Sequence, residues 1–323
     1  MPKTIILTGA TGFVGRHVAK ELLCQGFKTI ALARRPQALS DLIQEGLEVV
    51  TGDLSPSRAS FDLPRADAVI HLAGLIKARN TKEFDDVNCG GTEILLNALG
   101  TKKDCRFILV SSISARGPNA SPTGLDGTMP VSHYGRSKLA AEMLTLNRWP
   151  HSQTVIFRPP VVYGPGDTAT LSLFRFLKHG IFPRIGKAPT RVSFVFVSDL
   201  AKFLVQAATS PKISLGPHYP EDGVSGYALT DFLAVAESVF GKRLRTPYVP
   251  LWVVERLSQA SELWGRLSGT TVFFSHDKYA ELKEPHWFCS PKSCFETFPL
   301  KNVTRLEEGL RTTKRWYEEQ GWL

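Results

Sequence analysis

Along the first half of the chain, short apolar runs alternate with longer stretches whose apolar residues recur every three or four positions. Lys3–Thr8 is a brief, β-branched run without polar alternation, the pattern of a parallel strand covered on both faces. Behind it, Phe13, Val14, Val18, Leu22 and Leu23 fall on one side of a helix. The pairing recurs as Thr29–Ala33 with Gln37–Gln44, Ala68–Leu72 with Glu83–Leu99, and Arg106–Ser111 with His133–Asn147, while Leu47–Thr51 and Thr154–Phe157 read as strands. Strands joined by helical crossovers lie parallel, so the pattern predicts an α/β fold with a doubly wound parallel sheet.

Beyond Phe157 the texture changes. RPPVVYGPGD at 158–167 reads as a linker, Leu171–His179 as a Phe/Leu helix, and Val192–Val197 followed by Ser198–Ala208 as a strand and helix returning to the sheet. Further helices are predicted over Leu229–Phe240, Leu251–Leu267 and Arg305–Gln320. The expected organisation is a dinucleotide-type domain over 1–165, rejoined by 190–215, with a smaller substrate-binding domain from 166–189 and 216–323. In the segment 250–265, Leu251, Val254, Leu257 and Trp264 fall near one face; core packing is the default expectation and contact with a membrane surface the alternative.

Composition narrows the function. No run approaches the ~18 apolar residues of a membrane span, and no charged-then-apolar leader precedes Ile5, so a soluble, cytoplasmic protein without an integral span is expected. The net charge of +9 is concentrated in 151–220, where Arg158, Arg175, Lys178, Arg184, Lys187 and Arg191 are dispersed rather than run together. That disfavours a nucleic-acid-binding arm; if the substrate is anionic, Arg175, Arg184, Lys187 and Arg191 are its expected partners. Five scattered cysteines without a C-x-x-C pair, and eight histidines without metal-ligand spacing, predict neither a disulfide framework nor a bound metal.

The first strand runs into TGATGFVG at 8–15 and then directly into a helix. Gly9, Gly12 and Gly15 permit a tight turn, close approach to a pyrophosphate and close helix packing, and the helix N-terminus offers N–H donors. The second strand ends in Arg34 and Arg35 where an NAD-type site wants an acid, which favours the 2′-phosphate of NADP, with NAD as the alternative. Asp53, after the third strand, is a candidate for the adenine edge. Tyr134 and Lys138, four apart at a helix start, share a face; an adjacent ammonium is expected to lower the phenol's pKa and suit it to acid/base work. Ser112, at the carboxyl end of a parallel strand, is placed to hydrogen-bond a substrate oxygen beside Tyr134.

Together TGATGFVG, GDL at 52–54, HLAG at 71–74, VNCGGTEILLNA at 87–98, VSSISARG at 110–117, YGRSK at 134–138, RPPVVYGPGD and FVFVSDLA at 194–201 resemble the extended short-chain dehydrogenase/reductase superfamily, of the NAD-dependent epimerase/dehydratase type. The resemblance spans about 200 residues in order. It implies a Rossmann domain of about seven strands and a catalytic triad of Ser112, Tyr134 and Lys138. It further implies cofactor contacts from Gly9, Thr11, Gly12, Phe13, Val14, Gly15, Arg34, Arg35, Asp53 and Leu54. Leu72, Ala73 and Gly74 would line the cofactor, Asn88 and Ser111 would support the site, and the backbone of Pro159, Pro160 and Val161 would meet the carboxamide. Lys138 would also hold the nicotinamide ribose. Relatives often dimerise through two helices, for which Glu83–Leu99 and His133–Asn147 are the candidates.

Departures from the pattern select among reactions. Ile113 and Ser114 stand where 4,6-dehydratases of this type carry an acidic pair, and RVSFVFVSDL at 191–200 lacks the acid and histidine of an epimerase-like diphosphate clamp. The linker resembles those of 3β-hydroxysteroid dehydrogenase and dihydroflavonol reductase-like members. Phe174, Phe176, Phe182, Phe194, Phe196, Trp252, Trp264, Phe273 and Phe274 give the substrate side an apolar cast. The expected activity is NADP-dependent interconversion of a ketone or aldehyde and an alcohol on a hydrophobic small molecule. A nucleotide-sugar epimerase with tightly bound NAD, and a catalytically silent cofactor-binding protein, are the alternatives.

Overall fold

The computed structural model describes residues 3–55, 61–100, 104–118, 129–186, 190–210, 216–270, 272, 274–289 and 292–323; Lys187 and Phe273 lie outside them. The central sheet has seven strands: β1 (Thr4–Thr8), β2 (Lys28–Ala33), β3 (Glu48–Thr51), β4 (Ala68–His71), β5 (Arg106–Val110), β6 (Thr154–Phe157) and β7 (Pro217–His218). Across the sheet they run β7-β6-β5-β4-β1-β2-β3, and every neighbouring pair is parallel. The chain order reverses between β1 and β4, where Thr8 lies opposite His71, and a crevice at such a switch point is where these sheets bind ligands. The apolar strand residues divide between two buried layers. Ile5, Leu7, Ile70 and Ile108 pack on one face with the Phe13–Cys24 and Val197–Thr209 helices. Ile6, Val69, Phe107 and Leu109 pack on the other with the Gly91–Leu99 helix.

Three features differ from the expected pattern. Pro159 and Pro160 follow β6 and lack the N–H groups a sheet ladder needs, so the chain leaves the sheet. Val161–Tyr163 then pairs with Phe194–Phe196 in a separate two-stranded ribbon, and the strand expected to return does not reach the central sheet. The helix after it does return, along the Phe13–Cys24 helix, while Pro217–His218 supplies the seventh strand. The helix expected over Glu83–Leu99 divides into Thr81–Phe84, a wider π-helical turn over Asp85–Gly90, and Gly91–Leu99. The wide turn aims Asn88 inward, a common use of such turns at functional sites.

Phe174, Phe196, Phe232, Phe240 and Tyr317 form a third buried cluster, on which Phe182 and Phe194 pack. Four of the aromatics expected to cover substrate, Phe174, Phe182, Phe194 and Phe196, are thus core, and Phe176 is exposed. Trp252 and Trp264 are exposed as well.

Candidate active site

The turn after β1 is built as close to its neighbours as glycine permits. Gly9 sits at φ +76°, and a side chain there would come within 2.8 Å of the Leu72–Ala73 backbone. One at Gly15 would collide with the Gly9 carbonyl. Gly12 N–H donates to Gly9 O at 2.9 Å, and no side chain caps the helix that Phe13 begins. A pyrophosphate fits this cradle, with uncapped N–H groups and exposed Thr11 and Gly12 at its rim. His17 bonds the Pro165 carbonyl at 2.9 Å and so ties the linker to this helix. Arg34 and Arg35 are exposed just past β2 without an acidic partner among the described residues. Asp53 turns its Oδ1 to the Ser55 N–H at 3.0 Å, and Leu54 packs at the start of the Gly91–Leu99 helix.

A buried chain of hydrogen bonds fixes the facing loop, and only one proton arrangement satisfies it. Thr92 Oγ1 donates to Asn88 O at 2.7 Å, so it accepts from His71 Nε2 at 3.0 Å. His71 therefore carries its proton on Nε2, and its Nδ1 accepts from Thr8 Oγ1 at 2.6 Å. Thr8 Oγ1 in turn accepts the Ala73 N–H at 3.1 Å. Burial, and after it the Lys138 charge, push the His71 pKa down to about 3, which keeps the ring neutral and the chain intact. Asn88 completes the frame: Oδ1 accepts from Leu75 N–H at 2.7 Å, and Nδ2 donates to Leu75 O at 3.1 Å and Ser137 Oγ at 2.9 Å. Leu72, Ala73 and Gly74 are thereby locked between the glycine turn and the His133–Arg148 helix.

Ser112, Tyr134 and Lys138 come together where β5 ends. Ser112 caps the short Ile113–Arg116 helix by accepting Ser114 N–H at 3.1 Å, and its hydroxyl acts on the Tyr134 phenol to favour the ionised form. Lys138 Nζ donates to Val110 O at 2.7 Å and lies beside Gly74. Ser111 Oγ, between them, is buried without a partner among the described residues, and an unmet hydroxyl at this strand end fits a ligand's polar group. The titration differs from the sequence expectation. Burial pushes Tyr134 up to about 12, against the lowering effect of the Ser112 hydrogen bond, and the Glu281 charge adds to the rise. Burial likewise pushes Lys138 down to about 8, opposed by Glu142. Desolvation outweighs the ammonium, so the phenol is protonated at neutral pH.

The C-terminal region holds this helix by its first turn, an arrangement with no local signal in the sequence. Asp277 accepts the N–H groups of His133 at 2.5 Å and Tyr134 at 3.2 Å, a carboxylate at the positive end of the helix. Glu281 accepts from Ser132 Oγ at 2.9 Å and from Lys278 Nζ at 2.9 Å. Trp287 packs on Ile113, Tyr219 and Cys289 directly after Ser112. At the linker, Pro159 O accepts Ile113 N–H at 2.9 Å and Val161 N–H donates to Ser193 O at 3.3 Å, while Pro160 is buried.

The basic residues of 151–220 are dispersed. Arg158 is buried against Glu142, Arg175 donates to Trp322 O, Arg184 lies over Tyr248, and Arg191 donates to Ser225 O and lies over Phe288. No single anion site gathers them among the described residues.

Known proteins resemble this chain in sequence and in fold. Residues 5–219 match the model of the NAD dependent epimerase/dehydratase family. The chain is 33% identical to ceramide reductase of Caulobacter vibrioides over 99% of this chain and 96% of that one. It is 32% identical to UDP-glucose 4-epimerase of Vibrio cholerae over 97% and 95% of the two chains. In fold it is similar to MoeE5 in complex with UDP-glucuronic acid and NAD, with a TM-score of 0.74 at 22% identity, covering 98% of this chain and 99% of that one. With its seven-stranded sheet and glycine turn, this chain belongs to the NAD dependent epimerase/dehydratase family, as an enzyme of the extended short-chain dehydrogenase/reductase type.

Proposed function

We propose that this enzyme is an NADP-dependent oxidoreductase that interconverts a ketone and an alcohol on a hydrophobic molecule of the ceramide-like lipid class. The observation that carries the reading is the placement of Ser112, Tyr134 and Lys138 where β5 ends, followed by the apolar group of Ile113, Tyr219, Cys289 and Trp287. The likeness to ceramide reductase over nearly the whole chain supports it. When bound, a nicotinamide dinucleotide supplies or takes up the hydride. Tyr134 gives its proton to the ketone oxygen as that oxygen gains charge, and Ser112 orients the same oxygen by hydrogen bonding. Lys138, with one N–H on Val110 O, keeps two for ribose hydroxyls. Gly9, Thr11, Gly12, Phe13, Val14 and Gly15 would hold the pyrophosphate, and Leu72, Ala73 and Gly74 would border the dinucleotide.

The second reading, a nucleotide-sugar epimerase, is favoured by the likeness to UDP-glucose 4-epimerase. Against it, Ser193 is turned to a buried bond with Glu221 at 2.9 Å, and Arg191 is engaged with Ser225 O. The test is NADPH consumption with detergent-dispersed long-chain ketones, set against conversion of UDP-glucose to UDP-galactose without added cofactor. NADPH-linked ketone reduction is expected; sugar epimerisation with no reduction overturns the proposal. Replacing both Arg34 and Arg35 by Ala is expected to weaken NADPH about 10- to 100-fold and leave NADH unchanged, because charge-assisted bonds to the 2′-phosphate are lost. Equal losses for both nucleotides in a fluorescence titration refute the preference.

Glu281→Gln keeps an acceptor for Ser132 and removes the charge that opposes a phenolate. The Tyr134 pKa then falls, so the alkaline rise of kcat/KM for alcohol oxidation moves to lower pH. Ketone reduction, which uses the protonated phenol, correspondingly declines at lower pH than in the parent. A limb that stays in place shows that Glu281 does not act on Tyr134.

A further inference from the structure

The helix Leu251–Ser268 is turned inside out. Its buried positions are Val254, Ser258 and Gly265, whereas Trp252, Leu257, Leu263, Trp264 and Leu267 are 67, 56, 60, 69 and 76% exposed. At about 100° per residue these five fall within one outward arc that also holds Arg256 and the half-buried Val253. The core packing expected for Leu257 and Trp264 is therefore not what the fold uses, and an apolar face of this size on one helix marks an interaction surface.

Its surroundings identify the occupant. The helix begins at the end of a ribbon in which Arg184–Ile185 pairs with Tyr248–Val249, and Gly186 lies against Leu251. Around this ribbon Lys178, Arg184, Lys242, Arg243 and Arg245 are exposed, and none has a carboxylate partner among the described residues. An outward face with Trp near both ends, beside unpaired cations, has the chemistry of a helix lying in an anionic lipid interface. We infer that the Leu251–Ser268 helix and the adjoining basic ribbon dock the enzyme on the surface of an anionic membrane.

The docking helix is coupled to the site. Glu262 accepts His276 N–H at 2.8 Å, and the helix that His276 begins carries Asp277 and Glu281 to the first turn below Tyr134. A docked enzyme thus places its catalytic helix one element away from the lipid. This inference stands whatever the substrate proves to be, because it rests on the helix face and the charge beside it.

The test is flotation of the full chain with vesicles of phosphatidylcholine alone or mixed with phosphatidylglycerol, with light scattering of the free protein. Binding is expected to the mixed vesicles, to weaken in about 0.5 M salt, and to fall at least about tenfold in a Trp264→Ser, Leu267→Ser double variant with an unchanged thermal midpoint. Both side chains are exposed, so the variant leaves the core as it is. No binding, binding indifferent to phosphatidylglycerol, binding unaffected by the variant, or a parent dimer that the variant turns into a monomer would each overturn the inference.

Discussion

Replacing Tyr134 by Phe is expected to lower kcat for ketone reduction about 10²- to 10⁴-fold, the usual worth of a positioned proton donor. Phe retains the ring, which meets Phe84 at 5.9 Å between centroids, and the backbone N–H that Asp277 holds. The dinucleotide cradle depends on Gly9, Gly15 and the Thr8–His71–Thr92 chain, none of which contacts the phenol oxygen. Affinity for NADPH should therefore be retained within a few-fold, roughly the scatter left when no charged contact is lost. Stopped-flow turnover together with a fluorescence titration separates the two quantities. A variant that turns over at the parent's rate removes Tyr134 from the chemistry. One that loses NADPH binding along with turnover shows that the hydroxyl holds the site's shape instead.

What was legible in the sequence is what local pattern encodes. A strand buried on both faces, a glycine turn and an amphipathic helix each carry their signature within about twenty residues, so β1 and the turn at Gly9–Gly15 could be read directly. The four-residue step from Tyr134 to Lys138 and the serine at the end of β5 were readable for the same reason. The partners that tune these residues were not. Asp277 and Glu281 lie far along the chain, and no periodicity announces that one helix will cap another. His71 stood inside a recognisable motif, yet its neutral state follows only from burial and from the hydroxyls of Thr8 and Thr92. Periodicity also says that a helix has two faces without saying which one the protein covers. That is why Leu257 and Trp264 are expected in the core although the protein exposes them, while Val254 of the same expected face is buried.

Net charge was the least legible feature, because an arginine reads the same whether it meets a ligand, water or a buried acid. Arg158, in the most basic stretch, meets an acid. It and Glu142 are fully buried, with Nε at 3.0 and 3.2 Å and Nη2 at 2.6 Å from the carboxylate, and Nη1 donates to the Tyr219 hydroxyl at 2.9 Å. Burial opposes the guanidinium's charge, but the hydrogen bonds and charge of Glu142 more than offset this and hold its pKa above the usual value. Glu142→Ala would strand that charge near Arg116, whose own pKa burial lowers. The expected cost is about 3–5 kcal/mol. For a cooperative unit of 323 residues this corresponds to a thermal midpoint lower by roughly 4–7 °C. Calorimetry checks it; a loss below about 1 kcal/mol would mean that water reaches the guanidinium and the pair is not sealed. The double variant Glu142→Leu, Arg158→Met should recover much of the loss, since an apolar pair of similar volume strands no charge. Turnover should not recover with it. Glu142 also raises the pKa of Lys138, one helical turn away, so without the carboxylate the lysine falls further below about 8 and is less often charged at neutral pH. Restored stability with depressed turnover would separate the two roles of Glu142, as ion-pair partner of Arg158 and as support for the Lys138 charge.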